Sequence, residues 1–268
     1  MLRPLHLLPL LLALAALVPA AAHANERHFT YSYETAVLPP GAREIEMWTT
    51  LRAGRDAGRY VAFEHRGEFE LGLTDRLQTS LYLNFSTVSQ EVVPGQLATT
   101  TRFDSVSNEW KLKLLDPVAD AVGLGLYGEV AFGPEEAELE LKLLLDKRVG
   151  QLLLVGNLVL ENELEFELEE TEPEFAAELT LGATWFFTPG FSAGVELRSV
   201  NAFPEGEGWR HSALYAGPVV AYAQPGWWVA LSVMPQLPAL KKPEGTTSSR
   251  ILDEQEKLNA RLLFSFAI

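Results

Sequence analysis

Charged side chains recur at every second position along several segments of this chain. Glu64, Arg66 and Glu68 form one such series, and in another Glu138 and Glu140 alternate with leucines. A period of two residues is that of a β-strand, so these side chains are predicted to share one face of a sheet. On the inner face of a closed barrel, such charges would line a lumen and set its ion selectivity.

The inward-facing charges are the predicted functional residues. Acids outnumber bases among them, which favours a cation-preferring passage. The alternative is a closed interior filled by cross-strand ion pairs, and twelve strands fall between filled small barrels and open large porins. The predicted pore-lining residues are Glu44, Glu46, Arg52, Glu64, Arg66, Glu68, Glu70, Glu109, Lys111, Lys113, Glu129, Glu138, Glu140, Lys142, Glu178, Glu196, Arg198 and Arg261.

A second group of carboxylates lies between Glu161 and Glu174. Carboxylates at a rim could hold Ca²⁺ or Mg²⁺, or bridge to lipopolysaccharide through such ions. The first five alternate strictly, which is typical of a strand face and not of a calcium-binding loop. We therefore predict a solvated strand extension here, with no metal site and no cofactor.

The elements that would position these charges are twelve strands in an all-β, antiparallel, up-and-down membrane barrel. Each is a stretch of about ten residues with one apolar face, as a tilted membrane strand requires. A one-residue slip would turn the charges into lipid. The predicted strands are 43–53, 60–73, 77–87, 101–115, 122–132, 136–146, 151–168, 174–187, 191–200, 212–223, 227–235 and 258–268.

The connections between these strands predict the orientation of the barrel. One rim carries short turns and the other mostly longer loops, as periplasmic and extracellular rims do. The loop at 236–257 is the longest, and we expect it to be mobile or to fold into the lumen. The short turns are 74–76, 116–120, 146–150, 188–190 and 224–226. The opposite loops are 54–59, 88–100, 133–135, 169–173, 201–211 and 236–257.

A girdle of aromatic residues is predicted beside the short turns, where membrane barrels place one. A soluble β-sandwich or lipocalin-like barrel would also alternate, but with its charged face toward water. The number of strands, their leucine- and valine-rich face and the girdle favour the membrane barrel. The girdle residues are Trp185, Phe186, Phe187, Phe191, Tyr222, Trp227, Trp228, Phe264 and Phe266.

The N-terminus predicts export from the cytoplasm. Residues 1–24 combine Arg3, an apolar stretch and Ala22-His23-Ala24, the pattern of a cleaved signal peptide. Residues 25–42 are predicted to be a periplasmic segment or partial plug, and residues 43–268 the barrel. The chain has no cysteine and a formal net charge of −15, which excludes disulfides and argues against nucleic acid as a partner.

Enzymatic hydrolysis would need a nucleophile beside a base. The predicted mature chain has only His28, His65 and His211, and the His-x-Ser-Asn-Gly signature of a barrel phospholipase is absent. Scattered histidines and serines without a nucleophile motif are usually structural. We therefore predict that the protein is not an enzyme and has no catalytic residue.

Residues 31–78 carry a family resemblance. Tyr31-Ser32-Tyr33-Glu34, Leu38-Pro39-Pro40-Gly41, the segment 44–52 and Gly72-Leu73-Thr74-Asp75-Arg76-Leu77-Gln78 resemble a family of uncharacterised outer-membrane proteins of Gram-negative bacteria. They are also similar to the putative transporter barrels associated with phenol-degradation operons. The resemblance implies an outer-membrane barrel and a porin-like conduit, and it supplies no active-site residues.

We therefore expect an outer-membrane channel for passive diffusion of small solutes through a charged, mostly acidic lumen. The alternatives are a closed structural or surface-interaction barrel acting through its outer loops and, less favoured, a lipid-modifying enzyme. Expected partners are outer-membrane lipid, lipopolysaccharide, small solutes and the barrel insertion machinery. That machinery would recognise the C-terminal strand, although it ends in Ile268 and not in an aromatic residue.

Overall fold

The computed structural model describes residues 26–134, 136–166 and 171–268. It is a closed barrel of twelve antiparallel strands in which each strand pairs with its neighbours in sequence and β1 pairs with β12. No helix in the described part has the length and apolar character needed to span a membrane. The strands are β1 (Arg43–Ala53), β2 (Tyr60–Thr74), β3 (Leu77–Val93), β4 (Gln96–Leu115), β5 (Gly123–Phe132), β6 (Glu136–Val149), β7 (Leu152–Phe166), β8 (Thr171–Thr188), β9 (Phe191–Pro204), β10 (His211–Gln224), β11 (Trp227–Pro235) and β12 (Leu258–Ala267).

The two faces of the wall differ as the alternation predicts. On β6, Leu139 and Leu141 are 45% and 49% exposed on the outer face, while Lys142 between such leucines is buried inside. Large apolar side chains cover the outer face of most strands in the same way. This surface suits lipid, and the all-β membrane barrel predicted from the sequence is confirmed.

The rim opposite the termini differs from the prediction. The predicted loop 88–100 is strand, because β3 and β4 continue to a two-residue hairpin at Pro94-Gly95. Gly95 has a φ of 84°, a conformation that favours glycine, and its N–H donates to Glu91 at 2.5 Å. Residues 171–173 of the predicted loop 169–173 are likewise strand, since β8 begins at Thr171. This rim differs from the rim at the termini mainly in its longer strands, and less in the length of its loops.

The turns at the termini's rim are short, as predicted, except between β4 and β5. There the connection spans residues 116–122. The Asp116 carboxylate accepts hydrogen bonds from the N–H groups of Val118 and Ala119, at 2.9 and 3.1 Å. These two bonds lower the pKa of Asp116, because they stabilise its charged form.

The predicted aromatic girdle needs correction at two positions. Trp185, Phe187 and Tyr222 are exposed on the outer face, where a girdle would be. Phe186 and Trp228 are 5% and 1% exposed and lie inside the barrel. Alternation explains this difference, because side chains adjacent in sequence on one strand point to opposite faces.

Residues 27–38 lie inside the barrel, and the exposed residues Pro39, Pro40 and Gly41 lead from them to β1. Phe29 and Leu38 are fully buried, and the segment's polar groups bond to inward-facing side chains. It approaches the wall closely at two glycines. A Cβ at Gly182 would lie 2.4 Å from the Phe29 ring, and one at Gly72 would lie 2.1 Å from the Pro39 carbonyl oxygen. These positions need glycine so that the segment can pack against the wall.

The 236–257 loop also turns inward. Ile251 is buried against Tyr215 and Met234, and the loop backbone pairs with β10 through Ser212 and Lys241. The Tyr215 hydroxyl donates to the Glu256 carbonyl oxygen at 3.0 Å. The loop therefore covers one side of the mouth opposite the termini, which is the predicted extracellular mouth.

Candidate functional site

The candidate site is the lumen, and none of the predicted pore-lining residues is exposed on the outer surface. Those near the termini's rim, such as Glu44, Glu68 and Lys111, are almost fully buried. Those near the other rim, such as Arg52 and Glu178, are partly accessible from inside. Whether these residues line a path for solutes stays a prediction.

A cluster of aromatic and aliphatic side chains, called the aromatic cluster below, fills the half of the lumen nearer the termini. Its members come from β1, β3, β5 and β6 on one side and from β10, β11 and β12 on the other, together with Tyr33 of the N-terminal segment. Side chains from opposite walls therefore meet. The cluster consists of Tyr33, Trp48, Tyr82, Tyr127, Leu144, Ala221, Ala223, Trp228, Ala230 and Leu263.

Cations stack on this cluster. The guanidinium of Arg27 lies 4.1 Å from the Tyr33 ring centroid, and that of Arg66 lies 4.1 Å from the Tyr82 ring. The Lys142 ammonium lies 4.0 Å from the Tyr33 ring. Cation–π contacts strengthen when water is excluded, so these charges stabilise the packed centre of the barrel.

Glu196 of β9 is the main anchor of the N-terminal segment. It is 1% exposed, and its carboxylate accepts from the N–H groups of Thr30 at 3.2 Å, Tyr31 at 2.8 Å and Ser32 at 2.6 Å. The Thr30 hydroxyl also donates to it at 3.0 Å and lies 2.5 Å from the Ser232 hydroxyl. One carboxylate thus satisfies three successive backbone donors, an arrangement that suits a buried anion.

Three further polar residues hold the segment along its length. Asn157 accepts from the Tyr33 N–H at 2.6 Å and donates to its carbonyl oxygen at 2.9 Å. Asp146 accepts from the Thr35 hydroxyl at 2.7 Å, and Gln78 accepts from the Leu38 N–H at 2.9 Å. These anchors were not predicted to be functional. The alternation along each strand predicts that these side chains point inward, but the sequence does not show which groups they bond.

The extracellular half of the lumen contains two adjoining cavities, of about 440 and 490 Å³. Tyr31 lines both cavities, and the larger one reaches the 236–257 loop at Glu254 and Gln255. Volumes of this size accommodate a small molecule. The residues common to both cavities are Tyr31, Arg52, Glu64, Glu161, Glu163, Glu178, Arg198 and Arg261.

Ion pairs organise the walls of these cavities. Arg52 bridges Glu64 at 2.8 Å and Glu256 at 2.9 Å, whereas Arg198 pairs with Glu178. Arg261 has different partners, because it donates to the Thr50 hydroxyl at 2.9 Å and lies over the Tyr31 ring. The cavities therefore present both signs of charge to a solute.

An acidic group lies on another wall of the first cavity. The carboxylates of Glu138, Glu140 and Glu161 approach one another within 4.8 Å, and Lys142 bonds Glu140 at 2.8 Å. All three side chains are partly accessible. They concentrate negative charge where a permeating cation would pass.

The histidines occupy three separate places. His28 lies inside the barrel and bonds Glu34 at 3.1 Å, whereas His65 is on the outer face beside Thr49. His211 lies at the extracellular end of β10, next to Glu254. The structure therefore does not bring these histidines into one constellation.

Two predicted features fall wholly or partly outside the described residues. The signal peptide at 1–24 is one of them. Of the carboxylates between Glu161 and Glu174, the structure places Glu161 and Glu163 in the cavity wall. The positions 167–170 lie outside the described residues.

Comparisons with known proteins agree on the architecture. The chain is similar to the crystal structure of the COG4313 outer membrane channel from Pseudomonas putida F1, with a TM-score of 0.63 and 13% identity over 87% of this chain and 98% of that one. It is also similar to the NanC porin, with a TM-score of 0.54 and 12% identity over 84% of this chain and 100% of that one. At these identities the likeness shows the fold, and with it an outer-membrane barrel.

A third similar structure is the translocator domain of the autotransporter NalP from Neisseria meningitidis. It has a TM-score of 0.51 and 12% identity, over 84% of this chain and 88% of that one. The model of a family of unknown function, DUF6662, matches residues 21–268. A search of the curated proteins found no match.

Proposed function

Since the chain belongs to the DUF6662 family, whose function is unknown, we propose a function from its lumen: a porin-like outer-membrane channel for small polar solutes. The observation that carries the proposal is the pair of charged cavities behind the extracellular mouth. An inert structural barrel could fill this space with packed side chains, as small barrels do.

Residues 26–38 would act as the gate of this channel. They fill the periplasmic half together with the aromatic cluster, so a solute that enters the cavities meets a closed floor at Tyr31, Tyr33 and Trp48. Passage requires the segment to move away from Glu196 and Asn157. Its contacts with them are hydrogen bonds that water can replace once the segment is hydrated.

The solute class follows from the charges. Carboxylates outnumber guanidinium groups around the first cavity, so cations and zwitterions are favoured over anions. The relation to phenol-degradation transporters remains a prediction, and the charged walls favour a polar solute over an apolar one. Signal-peptide cleavage, recognition of the C-terminal strand by the insertion machinery and contact with lipopolysaccharide are parts of the same proposal.

Planar-bilayer recording of the purified, folded protein tests the channel. We expect discrete current steps and, under a salt gradient, a reversal potential shifted toward that of the cation. The folded state is verified by the heat-dependent shift of the band on a gel. A folded preparation that carries no current over the full range of stable voltages would refute the channel.

A closed surface-interaction barrel is the second candidate, and the filled periplasmic half favours it. It predicts no current under any condition, and function confined to the outer rim. The β3–β4 hairpin is the obvious surface, because Val92, Val93 and Leu97 are exposed near its tip.

A further inference from the structure

Three buried carboxylates meet in the periplasmic half of the lumen, apart from the proposed solute cavities. Glu46 on β1 lies opposite Glu68 on β2, and Glu70 follows on the same face of β2. Their exposures are 1%, 3% and 6%, and one oxygen of each lies within 4.8 Å of the others. Like charges this close in a dry interior require compensation.

The surrounding cations compensate only in part. Arg27 bonds Glu46 at 3.3 Å, which neutralises one carboxylate of the three. Lys111 lies on β4 and is attracted by Glu70 as well as by Glu109 of its own strand. With Glu109 included, four carboxylates face two cations, Arg27 and Lys111, so two negative charges are left for another group to balance when all of these groups are ionised.

Buried oxygens without a hydrogen-bond partner also indicate that a cation binds here. Both carboxylate oxygens of Glu68 are buried without a hydrogen-bond partner among the described residues, as is Oε1 of Glu109. The Ser80 hydroxyl, 1% exposed, also has no partner there, and Ser80 lies directly between Glu70 and Glu109 in the strand register. Buried polar atoms are rarely left unsatisfied, and these are all oxygens that can bind a hard cation.

We infer that Glu46, Glu68 and Glu70 bind one calcium ion, with the Ser80 hydroxyl beside it. Ca²⁺ takes oxygen ligands at about 2.4 Å, and three carboxylate oxygens that all lie within 4.8 Å of one another can close around one such ion with only a small movement of the side chains. Its two charges match the two that Arg27 and Lys111 leave unbalanced. Mg²⁺ fits less well, because its bonds of about 2.1 Å would draw the three carboxylates closer together and because it gives up its waters reluctantly.

The ion would join strands that hydrogen bonds already pair and would add a link to the N-terminal segment. Glu46 and Glu68 belong to neighbouring strands, and Arg27 connects Glu46 to residues 26–38. The site is independent of conduction, so a protein that carries no current can still bind calcium.

Calcium binding can be measured on the full barrel refolded in detergent with about 1 mM calcium, then freed of loosely held ions by gel filtration. We expect one calcium per barrel by elemental analysis. Tyr82 lies opposite Glu68 in the register, so terbium bound in place of calcium should show luminescence excited through the aromatic rings. A folded wild-type barrel that holds no calcium and sensitises no terbium would overturn the inference.

The variant Glu68→Gln removes one ligand charge with little change of shape, and we expect it to weaken calcium binding by about tenfold or more. Glu138→Gln is the matched control. Glu138 belongs to the more accessible acidic group of the first cavity, so this variant should leave calcium binding unchanged. Equal losses in the two variants would mean that calcium binds diffusely to carboxylates. If Glu68→Gln does not refold, Glu70→Gln replaces it, and the wild-type stoichiometry still decides.

Discussion

Buried carboxylates are stabilised by different partners in the two halves of the lumen. In the periplasmic half, Glu196 is bonded by backbone N–H groups of a segment that fills the barrel. In the extracellular half, Glu64 and Glu178 are bonded by arginines around open cavities. The first arrangement fixes a piece of chain, and the second leaves space with fixed charges around it.

Because their partners differ, carboxylates in the two halves are expected to have different roles. A carboxylate that holds three backbone donors determines whether the lumen is closed, because its loss leaves those donors unsatisfied. In the proposed channel, a carboxylate paired with an arginine beside a cavity would instead influence which ions enter. In the proposed channel, carboxylates that share one strand parity would thus divide into residues of the gate and residues of the selectivity filter.

Replacing Glu196 by alanine should have the largest effect. It leaves the N–H groups of Thr30, Tyr31 and Ser32 without their acceptor, at a cost of about 1–3 kcal/mol each. We expect the segment to detach and the open probability in bilayers to rise. In the control Glu178→Ala, which removes only the partner of Arg198, the open probability should stay near that of the wild type. An unchanged open probability in Glu196→Ala would show that Glu196 does not hold the gate closed.

Glu256→Gln should loosen the 236–257 loop over the extracellular cavities. The buried Glu256 carboxylate bonds Arg52 at 2.9 Å and Arg55 at 2.5 Å, and each charged hydrogen bond is worth about 1.5–3 kcal/mol. Trypsin should then cut within the loop faster than in the wild type. Glu244→Gln changes an exposed residue of the same loop and should leave the cutting rate unchanged. Equal rates for all three proteins would mean that Glu256 does not hold the loop.

Neutralising the acidic group of the first cavity should change selectivity and leave the gate intact. With Glu138, Glu140 and Glu161 all replaced by glutamine, three charges near the path are lost. We expect the reversal potential in a salt gradient to move toward that of the anion, with open probability unchanged. A cation preference equal to that of the wild type would place the selectivity elsewhere.

Asp56→Asn at the outer rim should have the smallest effect. Asp56 lies 3.8 Å from Lys257, and both side chains are about half exposed. Exposed pairs of this kind contribute about 0–1 kcal/mol. Conductance, selectivity and the heat-modifiable band should all match the wild type, and a large change in any of them would show that the rim takes part in gating.

Much of the wall could be predicted from the sequence. Alternation on β2 and β6 placed Glu68 and Lys142 inside and Leu139 outside, because a pleated strand leaves only two choices and lipid excludes one of them. The predicted strand ends were wrong where the sequence pattern did not show at which residue a strand stops. Residues 88–100 include enough polar residues for a loop, yet they extend β3 and β4 into a hairpin whose residues 92–100 are exposed on both faces.

The contents of the lumen were harder to predict. Tyr31 and Tyr33 carry no period that indicates their burial, and their partners Glu196 and Asn157 are more than 100 residues away in sequence. Parity shows that a side chain points inward, but not whether it meets water, an opposite charge or a segment of chain. That choice depends on the three-dimensional packing of the N-terminal segment across the barrel.

A reversible tether of the N-terminal segment tests the gate most directly. The chain has no cysteine, and the hydroxyls of Thr30 and Ser232 lie 2.5 Å apart, so Thr30→Cys with Ser232→Cys should form one disulfide between the segment and β11. The measurement is bilayer current before and after reduction. The gate account predicts no current in the oxidised barrel and channel openings after reduction. Equal current in both states would contradict it.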